Sequence, residues 1–435
     1  MTEPAHHELP LSGIRILDFT HMWSGPMLTR ICASMGAEVL KMEAPNRADP
    51  MRFKGIKDIP TRYPDAEYGA EPHNRNAWFN TQNIDKQGLV IDAKAPRGKA
   101  LLDDLIRTCD VVVANFRAGV LNKMGFGYEA LRALRPDVIL IEMTGYPSDS
   151  PLADLKAYGA QFEAISGSAW LMGDENAPLP TGFALGDPIG GMYGATALMT
   201  ALHRRQRTGL GCHLEVPQSV TMMALMGDVF HSLSHEPVQT RVLNDLAHAC
   251  PHGMFAIGAE WLSIAVYDDA SWSRLAALLH AAGLQPPANW NTLAGRRADV
   301  AALYAKLQQW LDAQPSAEAA AQRLQEQGIA AGAVATAESI ATNAQLHHCG
   351  FFTELDHPSA GRHAYPGLPI FLGTQARRVG AQRAAPCFGQ HTREALQRLL
   401  HLSDATLDAL ESEQIIVDAP STAAEASPSS ASKES

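Results

Sequence analysis

The segment IRILDFTHMWSGPMLTRICASMGAEVLKME, Ile14–Glu43, contains a strand, a loop, a helix and a second strand in close succession. IRILDF (Ile14–Phe19) is short and apolar, as a buried strand is. MLTRICASMG (Met27–Gly36) has apolar residues at helical spacing and a terminal glycine, and AEVLKME (Ala37–Glu43) has the character of the next strand. A strand-helix-strand unit with such short connections predicts neighbouring parallel strands in an α/β sheet.

The same alternation continues along the chain and predicts a mainly parallel sheet with helices on both faces. Further strands are expected at Leu89–Asp92, Asp110–Gly119, Val138–Gly145 and His213–Val216, and helices at Pro96–Cys109, Gly127–Leu134 and Gly190–Arg205.

The first turn resembles the start of a dinucleotide-binding unit but lacks its phosphate cradle. Glu43 ends the second strand, roughly where an acid that binds a ribose would lie. The turn THMWSGP has no G-x-G-x-x-G, so no backbone cradle for a pyrophosphate is predicted. A nicotinamide-dinucleotide site is therefore not expected.

The character of the chain changes at about Asp228, where a hairpin followed by a helix and two alanine-rich helices indicates an α+β domain. The final segment is rich in Ser and Ala and lacks core-forming residues, which is typical of disorder. The predicted organisation is a large domain at 1–227, a small α+β domain at 228–332, a return to the large domain at 333–415 and a disordered tail at 416–435.

Composition excludes several classes of protein. The chain has 435 residues and a formal net charge of -11, which argues against a nucleic-acid or anionic-membrane surface. Its six cysteines are scattered without a CxxC pair, and the N-terminus has no apolar core of a signal peptide, so a soluble cytoplasmic protein is expected. His248, Cys250 and His252 lie close together, but the intervening proline and the lack of a second ligand pair favour a turn, and no metal site is predicted.

The stretch ADLKAYGAQFEAISGSAW, Ala153–Trp170, follows the strand at Val138–Gly145 and is the candidate ligand site. A buried strand that runs into a polar loop and a helix is where open α/β sheets bind ligands. Asp149 precedes the stretch, Asp154 and Glu163 lie in it, and each could serve as base or nucleophile only if desolvated. The pattern alone predicts a two-domain α/β enzyme that binds an unidentified small molecule.

Several segments together resemble the class III CoA-transferase family (CaiB/BaiF type), which includes formyl-CoA transferase and the α-methylacyl-CoA racemases. The similarity covers roughly residues 9–415. The segments are LPLSGIRILDFTHMWSGPMLTRICASMGAEVLKMEAP, NIDKQGLVIDAKAPRGKA, NFRAGVLNKMGFGYEALRALRPDVILIEMTGY, ALGDPIGGMYGATALMTALHRRQRTGLG, GIAAGAVATAESIATNAQLHHCGFFTELDHPSAGRHAYPGLP and PCFGQHTREAL.

The resemblance implies a Rossmann-like large domain with a smaller inserted α+β domain, in an interlocked dimer. It implies CoA thioesters as substrates, together with a carboxylic acid, and no tightly bound cofactor. Ala118 departs from the usual proline of the family's N-F-R-P-G motif. The positions that match the family's CoA site are His21, Met22, Lys86, Asn115, Phe116 and Lys123.

The family's transferases carry a nucleophilic aspartate in a segment like P-G-[YF]-D-x-x-x-Q-A-x-S-G, and the ungapped match places Gly159 at that position. Glycine has no side chain, so it cannot attack a thioester. Glu163, one helical turn further on, is the nearest acid that could substitute.

The missing aspartate leaves three hypotheses about the function of the chain. In the leading one, the chain is a nucleophile-lacking subunit, paired with a paralogue that carries the aspartate, in CoA transfer from an acyl-CoA such as succinyl-CoA. The alternatives are a self-sufficient racemase or dehydratase-like acyl-CoA enzyme, and a non-catalytic CoA-binding structural subunit.

Overall fold

A computed structural model describes residues 9–53, 62–173, 177–235, 245–372 and 377–420. The chain divides into two compact units. The first comprises Met1–Trp170, Leu179–Pro237 and Gln345–Ser435, and the second comprises Leu171–Pro178 and Val238–Ala344. Each unit has its own hydrophobic core.

The first unit is built on a six-stranded sheet in the order β3-β2-β1-β4-β5-β6, in which every neighbouring pair is parallel. This confirms the predicted parallel α/β architecture. Its strands are β1 (Arg15–Asp18), β2 (Glu38–Glu43), β3 (Gln87–Val90), β4 (Val111–Ala114), β5 (Ile139–Glu142) and β6 (Cys212–Glu215).

The remaining strands form small antiparallel sheets. They are β7 (His252–Ile257), β8 (Glu260–Ala265), β9 (Ala330–Ala333), β10 (Phe352–His357), β11 (Gly361–Pro366), β12 (Phe371–Leu372) and β13 (Arg377–Arg378).

The helices connect the strands and cover the sheets. In chain order they are α1 (Ser24–Ser34), α2 (Pro72–Arg75), α3 (Ala77–Gln82), α4 (Pro96–Thr108), α5 (Val120–Lys123), α6 (Tyr128–Leu134), α7 (Gly159–Ser166), α8 (Ser168–Leu171), α9 (Gly186–Thr208), α10 (Gln218–Ala224), α11 (Gly227–Ser232), α12 (Asp269–Ala281), α13 (Leu293–Ala298), α14 (Val300–Asp312), α15 (Ala317–Glu326), α16 (Ala337–Ala341), α17 (Ala344–His348), α18 (Thr392–Leu400) and α19 (Asp404–Ser412).

Alternate residues of each strand face opposite sides of the sheet, so the large unit has a core on each side. On one side Leu17 and Val112 pack in a cluster with residues of α4, α18 and α19. On the other side Ile16 and Val111 pack in a cluster with residues of α1 and α9. Because both faces of the sheet are covered, the central strands are apolar on both sides. These apolar runs are the pattern from which the sequence predicted buried strands.

Helix α9 lies unusually close to α1 because glycines face the contact. A Cβ atom at Gly191 would lie 2.7 Å from Met27 Cβ and 2.8 Å from the Ser24 carbonyl oxygen. A Cβ atom at Gly194 would lie 2.5 Å from Leu28 Cδ1. The small residues of α9 therefore set the position of α1, including its first turn at Ser24.

The second unit pairs the sheet β7-β8-β9 with helices α12, α14 and α15. Trp272, Trp290 and Trp310 are each about fully buried in its core, with at most 1% of their surface exposed. The indole rings of Trp272 and Trp290 pack edge to face with centroids 6.0 Å apart.

The two units divide at Val238, ten residues beyond the expected boundary at Asp228, and the large unit resumes at Gln345. At the other end, Ile416 is buried and forms a bridge with Ile91, so the packed chain extends beyond residue 415. Residues 421–435 of the expected disordered tail lie outside the described residues.

Among the helices of the described segments, none has the length and apolar character needed to cross a bilayer.

The α1–α9 contact generates a stability prediction. Gly191→Ala should lower the free energy of unfolding by about 1–3 kcal/mol, because the added methyl collides with backbone and with Met27. The better helix propensity of alanine, about 1 kcal/mol, offsets only part of this loss. Urea denaturation followed by circular dichroism measures the change.

Gly227→Ala is the matched control, since it begins α11 and a Cβ atom there would meet nothing within 4 Å. It should leave stability unchanged or raise it. An equal loss in both variants would contradict the steric explanation.

Candidate functional site

The strand order reverses between β1 and β4, and the loops that follow these two strands separate at their carboxyl ends. Open α/β sheets bind ligands in the crevice at such a point. We call residues 19–23 the first switch loop and residues 115–119 the second switch loop. Four of the six residues expected to bind CoA lie in these two loops: His21, Met22, Asn115 and Phe116.

A single side chain joins the two switch loops. The Asn115 Oδ1 atom accepts a hydrogen bond from the His21 backbone N–H at 2.8 Å, and Asn115 Nδ2 donates to the His21 carbonyl at 2.7 Å. Asn115 Nδ2 also lies 3.3 Å from Ser24 Oγ, at the start of α1. The His21 ring packs edge to face on Phe116 with centroids 5.9 Å apart. The structure thus brings four of the six predicted residues together in the two switch loops.

The first switch loop has a constrained backbone. Met22 has a positive φ of 68°, a left-handed conformation that residues other than glycine adopt rarely. Its N–H donates to Asp49 Oδ1 at 3.0 Å, which holds the residue in this conformation. Strained backbone held by surrounding bonds is frequent in binding loops.

Buried charges lie directly beneath the first switch loop. Asp18, at the end of β1, is fully buried and accepts hydrogen bonds from the Thr20 N–H at 2.9 Å and from Thr29 Oγ1 at 2.6 Å. Burial acts to raise the pKa of Asp18, but the ammonium groups of Lys86 and Lys41 outweigh it and the pKa lies below its ordinary value. Asp18 is therefore ionised and ties the start of the first switch loop and helix α1 to the end of β1.

Lys86 balances the charge of Asp18 from within the protein. Its Nζ donates to Asp18 Oδ2 at 3.2 Å, to the Pro26 carbonyl at 3.1 Å and to Asn83 Oδ1 at 2.9 Å, which uses all three donors of an ammonium group. Burial lowers the pKa of Lys86 to about 8. This arrangement differs from the expectation that Lys86 belongs to the CoA site, since its charge is engaged inside the protein.

Two further buried ion pairs complete the set of charges. Lys41 pairs with Asp49 at 2.9 Å, and Arg52 pairs with Glu43 at 2.8 Å. Burial favours a higher pKa for Asp49, but Lys41 and His21 lower it to about 2. Because Glu43 is buried and held by Arg52, it is not available to bind a ribose, in agreement with the absence of a dinucleotide motif.

His21 is neutral at physiological pH. Its pKa is lowered to about 4, mainly by burial; repulsion by Lys41 acts in the same direction, and the attraction of Asp49 and Glu43 opposes both. A neutral imidazole offers one donor and one acceptor, so His21 can hydrogen-bond a ligand without contributing charge.

Lys123 is an exposed residue at the end of α5, in the segment that follows β4. Unlike Lys86, it has an ammonium group at the surface, so it is the expected basic residue that the structure leaves accessible to solvent.

The candidate ligand stretch forms α7, which begins at Gly159. The buried ring of Phe162 packs with Ile189 and Met222, so α9 and α10 fix the position of α7. A Cβ atom at Gly159 would lie 2.6 Å from the Ala184 carbonyl oxygen and 2.7 Å from Ala184 Cβ. The place where a side chain at 159 would begin is therefore filled by another part of the chain.

The segment that packs against Gly159 comprises residues 181–185, which we call the strap. Both oxygens of Glu163 accept hydrogen bonds from it: Oε2 from the Thr181 N–H at 2.7 Å and Oε1 from the Leu185 N–H at 2.8 Å. Glu163 is 1% exposed. Its carboxylate, the candidate substitute for the missing aspartate, is buried and engaged with backbone donors.

The strap also contacts the first switch loop. Phe183 packs edge to face on Trp23 with ring centroids 5.1 Å apart. The strap thus connects the start of α7 with the loop that follows β1.

Sequence reasoning missed the residues that support the site, although some signals were present. Asp18 directly follows the apolar pair Ile16 and Leu17. Lys41 lies between apolar residues of the next strand. Charged residues in such buried positions are normally paired. The contacts of the strap and of Asp49 had no local signal, because their partners are distant in sequence or on another element.

The described residues contain no cluster of three or more His, Cys, Asp and Glu side chains arranged to hold a metal ion. In the predicted turn, His248 stacks on Tyr267 with ring centroids 6.1 Å apart.

Comparison with known proteins places these features in context. Residues 11–392 match the pattern of CoA-transferase family III. The chain is 30% identical over 420 residues to the formyl-CoA:oxalate CoA-transferase of Rhodopseudomonas palustris, which covers 91% of this chain and 94% of that protein. It is 28% identical over 436 residues to the protein of the same name from Afipia carboxidovorans, covering 94% and 98%. A CaiB/BaiF family protein from Brucella suis has the same fold, with a TM-score of 0.79, 24% identity and coverage of 90% and 99%.

The lowered pKa of His21 predicts a pH dependence of stability. Between about pH 4 and 6.5 the unfolded chain binds more protons at this residue than the folded chain does, so stability falls as the pH decreases through this range. In His21→Gln, the loss in the free energy of unfolding over this pH range should be smaller than in the wild type by about 1–3 kcal/mol. Denaturant titrations at pH 4.5, 5.5, 6.5 and 7.5 measure it.

His203→Gln, at an exposed position of α9, is the control and should keep the wild-type dependence. Parallel curves for wild type and His21→Gln would show that the imidazole is not desolvated in the folded chain.

Proposed function

The chain belongs to CoA-transferase family III, and we propose that it is the nucleophile-lacking subunit of a transferase in which a paralogous chain supplies the aspartate. In this proposal the pair moves CoA from an acyl-CoA, with succinyl-CoA as the first donor to test, to a carboxylic acid. The observation that carries the proposal is Gly159, at the start of α7 in an otherwise intact family fold, with the space beside it closed by Ala184.

The chemistry explains why a partner is required. Transfer through a covalent intermediate needs a carboxylate that attacks the thioester carbonyl and expels the CoA thiolate. Position 159 has no side chain, and the nearby carboxylate of Glu163 already accepts two backbone hydrogen bonds at 2.7 and 2.8 Å. An attack by Glu163 would have to come from one of these hydrogen-bonded oxygens, within a buried environment.

A CoA site in this chain is supported by the two switch loops. We propose that the nucleotide end of CoA lies in the crevice between them, against His21, Met22, Asn115 and Phe116, with Lys123 towards its phosphates. Two-way hydrogen bonding by Asn115 fixes the His21 backbone, so the loop is preorganised for a ligand. We assign Lys86 a supporting role, in which it neutralises Asp18 beneath the loop.

Exposed apolar side chains on α7, α9, α10, α11 and the strap support a second chain as partner. Large exposed apolar surfaces on soluble proteins commonly mark sites of protein association. The exposed residues in these elements, or directly after α10 and α11, are Ile165, Phe183, Met192, Tyr193, Met199, Val220, Leu225, Phe230 and Leu233. A paralogue with the same fold would suit this face, because two related chains can form one symmetric arrangement while only one retains the chemistry.

Coexpression tests the catalytic proposal. CoA transfer from succinyl-CoA is assayed with this chain alone, with a genomically adjacent paralogue that carries aspartate at the matching position, and with the two together. We expect no turnover by this chain alone and turnover by the pair that disappears when the aspartate of the paralogue is replaced by alanine. Turnover by this chain alone, lost in Glu163→Gln, would overturn the proposal.

Binding of CoA tests the proposed crevice. Asn115→Ala removes both hydrogen bonds to the His21 backbone and should weaken CoA binding about tenfold or more, measured by titration calorimetry. Gln397→Ala is the control, because it removes an exposed hydrogen bond to Asp404 between α18 and α19. Equal affinities in wild type and Asn115→Ala would place the CoA site elsewhere.

A further inference from the structure

We infer that the strap, residues 181–185, is a fixed closure of the nucleophile position, and that Glu163 is the positioning residue that holds it there. The inference deepens the proposed function and rests on it: the chain has not only lost an aspartate but has closed the space that such a side chain would enter. Glu163 acts through the strap and has no role as a nucleophile.

The first support is the geometry of the Glu163 carboxylate. Its two oxygens accept hydrogen bonds from Thr181 and Leu185, the first and last residues of the strap. Both bonds lie in the range of short, charge-assisted hydrogen bonds to a carboxylate. A buried carboxylate is costly unless its oxygens are paired, so this residue is stable in its place only while the strap stays in position.

The second support is the close approach of the strap to α7. Ala184 has a positive φ of 50°, which directs its carbonyl and methyl group against Gly159. Next to the strap, a Cβ atom at Gly186 would lie 3.1 Å from the Gly159 carbonyl oxygen and 3.0 Å from Phe162 Cβ. Two glycines thus allow the start of α7 and the start of α9 to approach more closely than residues with side chains would permit.

The third support is the contact between the strap and the first switch loop. The edge-to-face contact of Phe183 with Trp23 places an aromatic ring from each segment beside the closed position. The strap is thus held at its two ends by Glu163, at Ala184 by packing on Gly159, and at Phe183 by Trp23.

The consequence is that an aspartate at position 159 and the strap in its present place exclude each other. Gly159→Asp alone should therefore not create a working nucleophile, because the new side chain collides with the Ala184 backbone at its first carbon. Release of the strap is needed before a side chain at 159 can be accommodated.

Hydrogen exchange tests the anchor directly, with no need for activity. In Glu163→Ala, amide exchange in the peptide that contains Thr181 and Leu185 should accelerate about tenfold or more, because both acceptors are lost. Glu163→Gln should restore protection in part, since an amide side chain keeps one acceptor oxygen. Gln161→Ala is the matched control on the same helix, because Gln161 bonds to the Tyr158 N–H and not to the strap.

A double-mutant cycle tests the exclusion. In the wild-type background, Gly159→Asp should raise the unfolding equilibrium constant about a hundredfold. In the Glu163→Ala background, where the strap is released, the same substitution should raise it about tenfold or less. Gly159→Ala, with a smaller added group, serves the same cycle if the aspartate variant does not fold.

Equal exchange of the strap in Glu163→Ala and Gln161→Ala, or additive effects of the substitutions at 159 and 163, would overturn the inference. These readouts concern the isolated chain and are independent of the paralogue. A failed coexpression assay with a positive exchange result would therefore disprove the proposed function and leave the closure of position 159 established.

Discussion

The pairing of Asp18 with Lys86 at the end of β1 is the interaction on which the site depends. Asp18 also holds Thr20 and Thr29, so one carboxylate fixes the exit of the strand, the loop and the helix that follows. Lys41, paired with Asp49, lies next to it, and Asp49 in turn holds the N–H of Met22. Since buried ion pairs are strongly destabilised when one partner is removed, the charges must be retained as a set.

Close backbone approach is the second constraint on the molecule. The glycines of α9 let that helix lie against α1 and thereby fix where the first switch loop ends. The same device recurs at Gly159, where the absence of a side chain allows the strap to dock. In the first case the glycine supports the crevice, and in the second it accompanies the closure of the position where the family's chemistry is expected.

In the proposed function, binding and catalysis are separated in this chain. The switch loops have the constrained backbone and the partly buried aromatic and imidazole groups of a binding crevice, and they lie at the topological position that α/β sheets use for ligands. The neighbouring start of α7 has no reactive side chain, and its nearest carboxylate serves as a hydrogen-bond acceptor. This separation is physically reasonable because the two functions depend on different loops of one scaffold.

The sequence by itself determined the α/β fold, the approximate positions of the six parallel strands and the family. It also determined that position 159 has no nucleophilic side chain. Apolar runs, glycine stops and ordered motifs are all local signals. It also indicated the four residues that the switch loops bring together. Only the tertiary structure decided what Lys86 and Glu163 do. Both are ionisable residues near a site, and sequence cannot distinguish a charge offered to a ligand from one engaged by partners such as Asp18 or the strap. The difference lies in burial and in contacts between segments far apart in the chain, which appear only when the chain is folded.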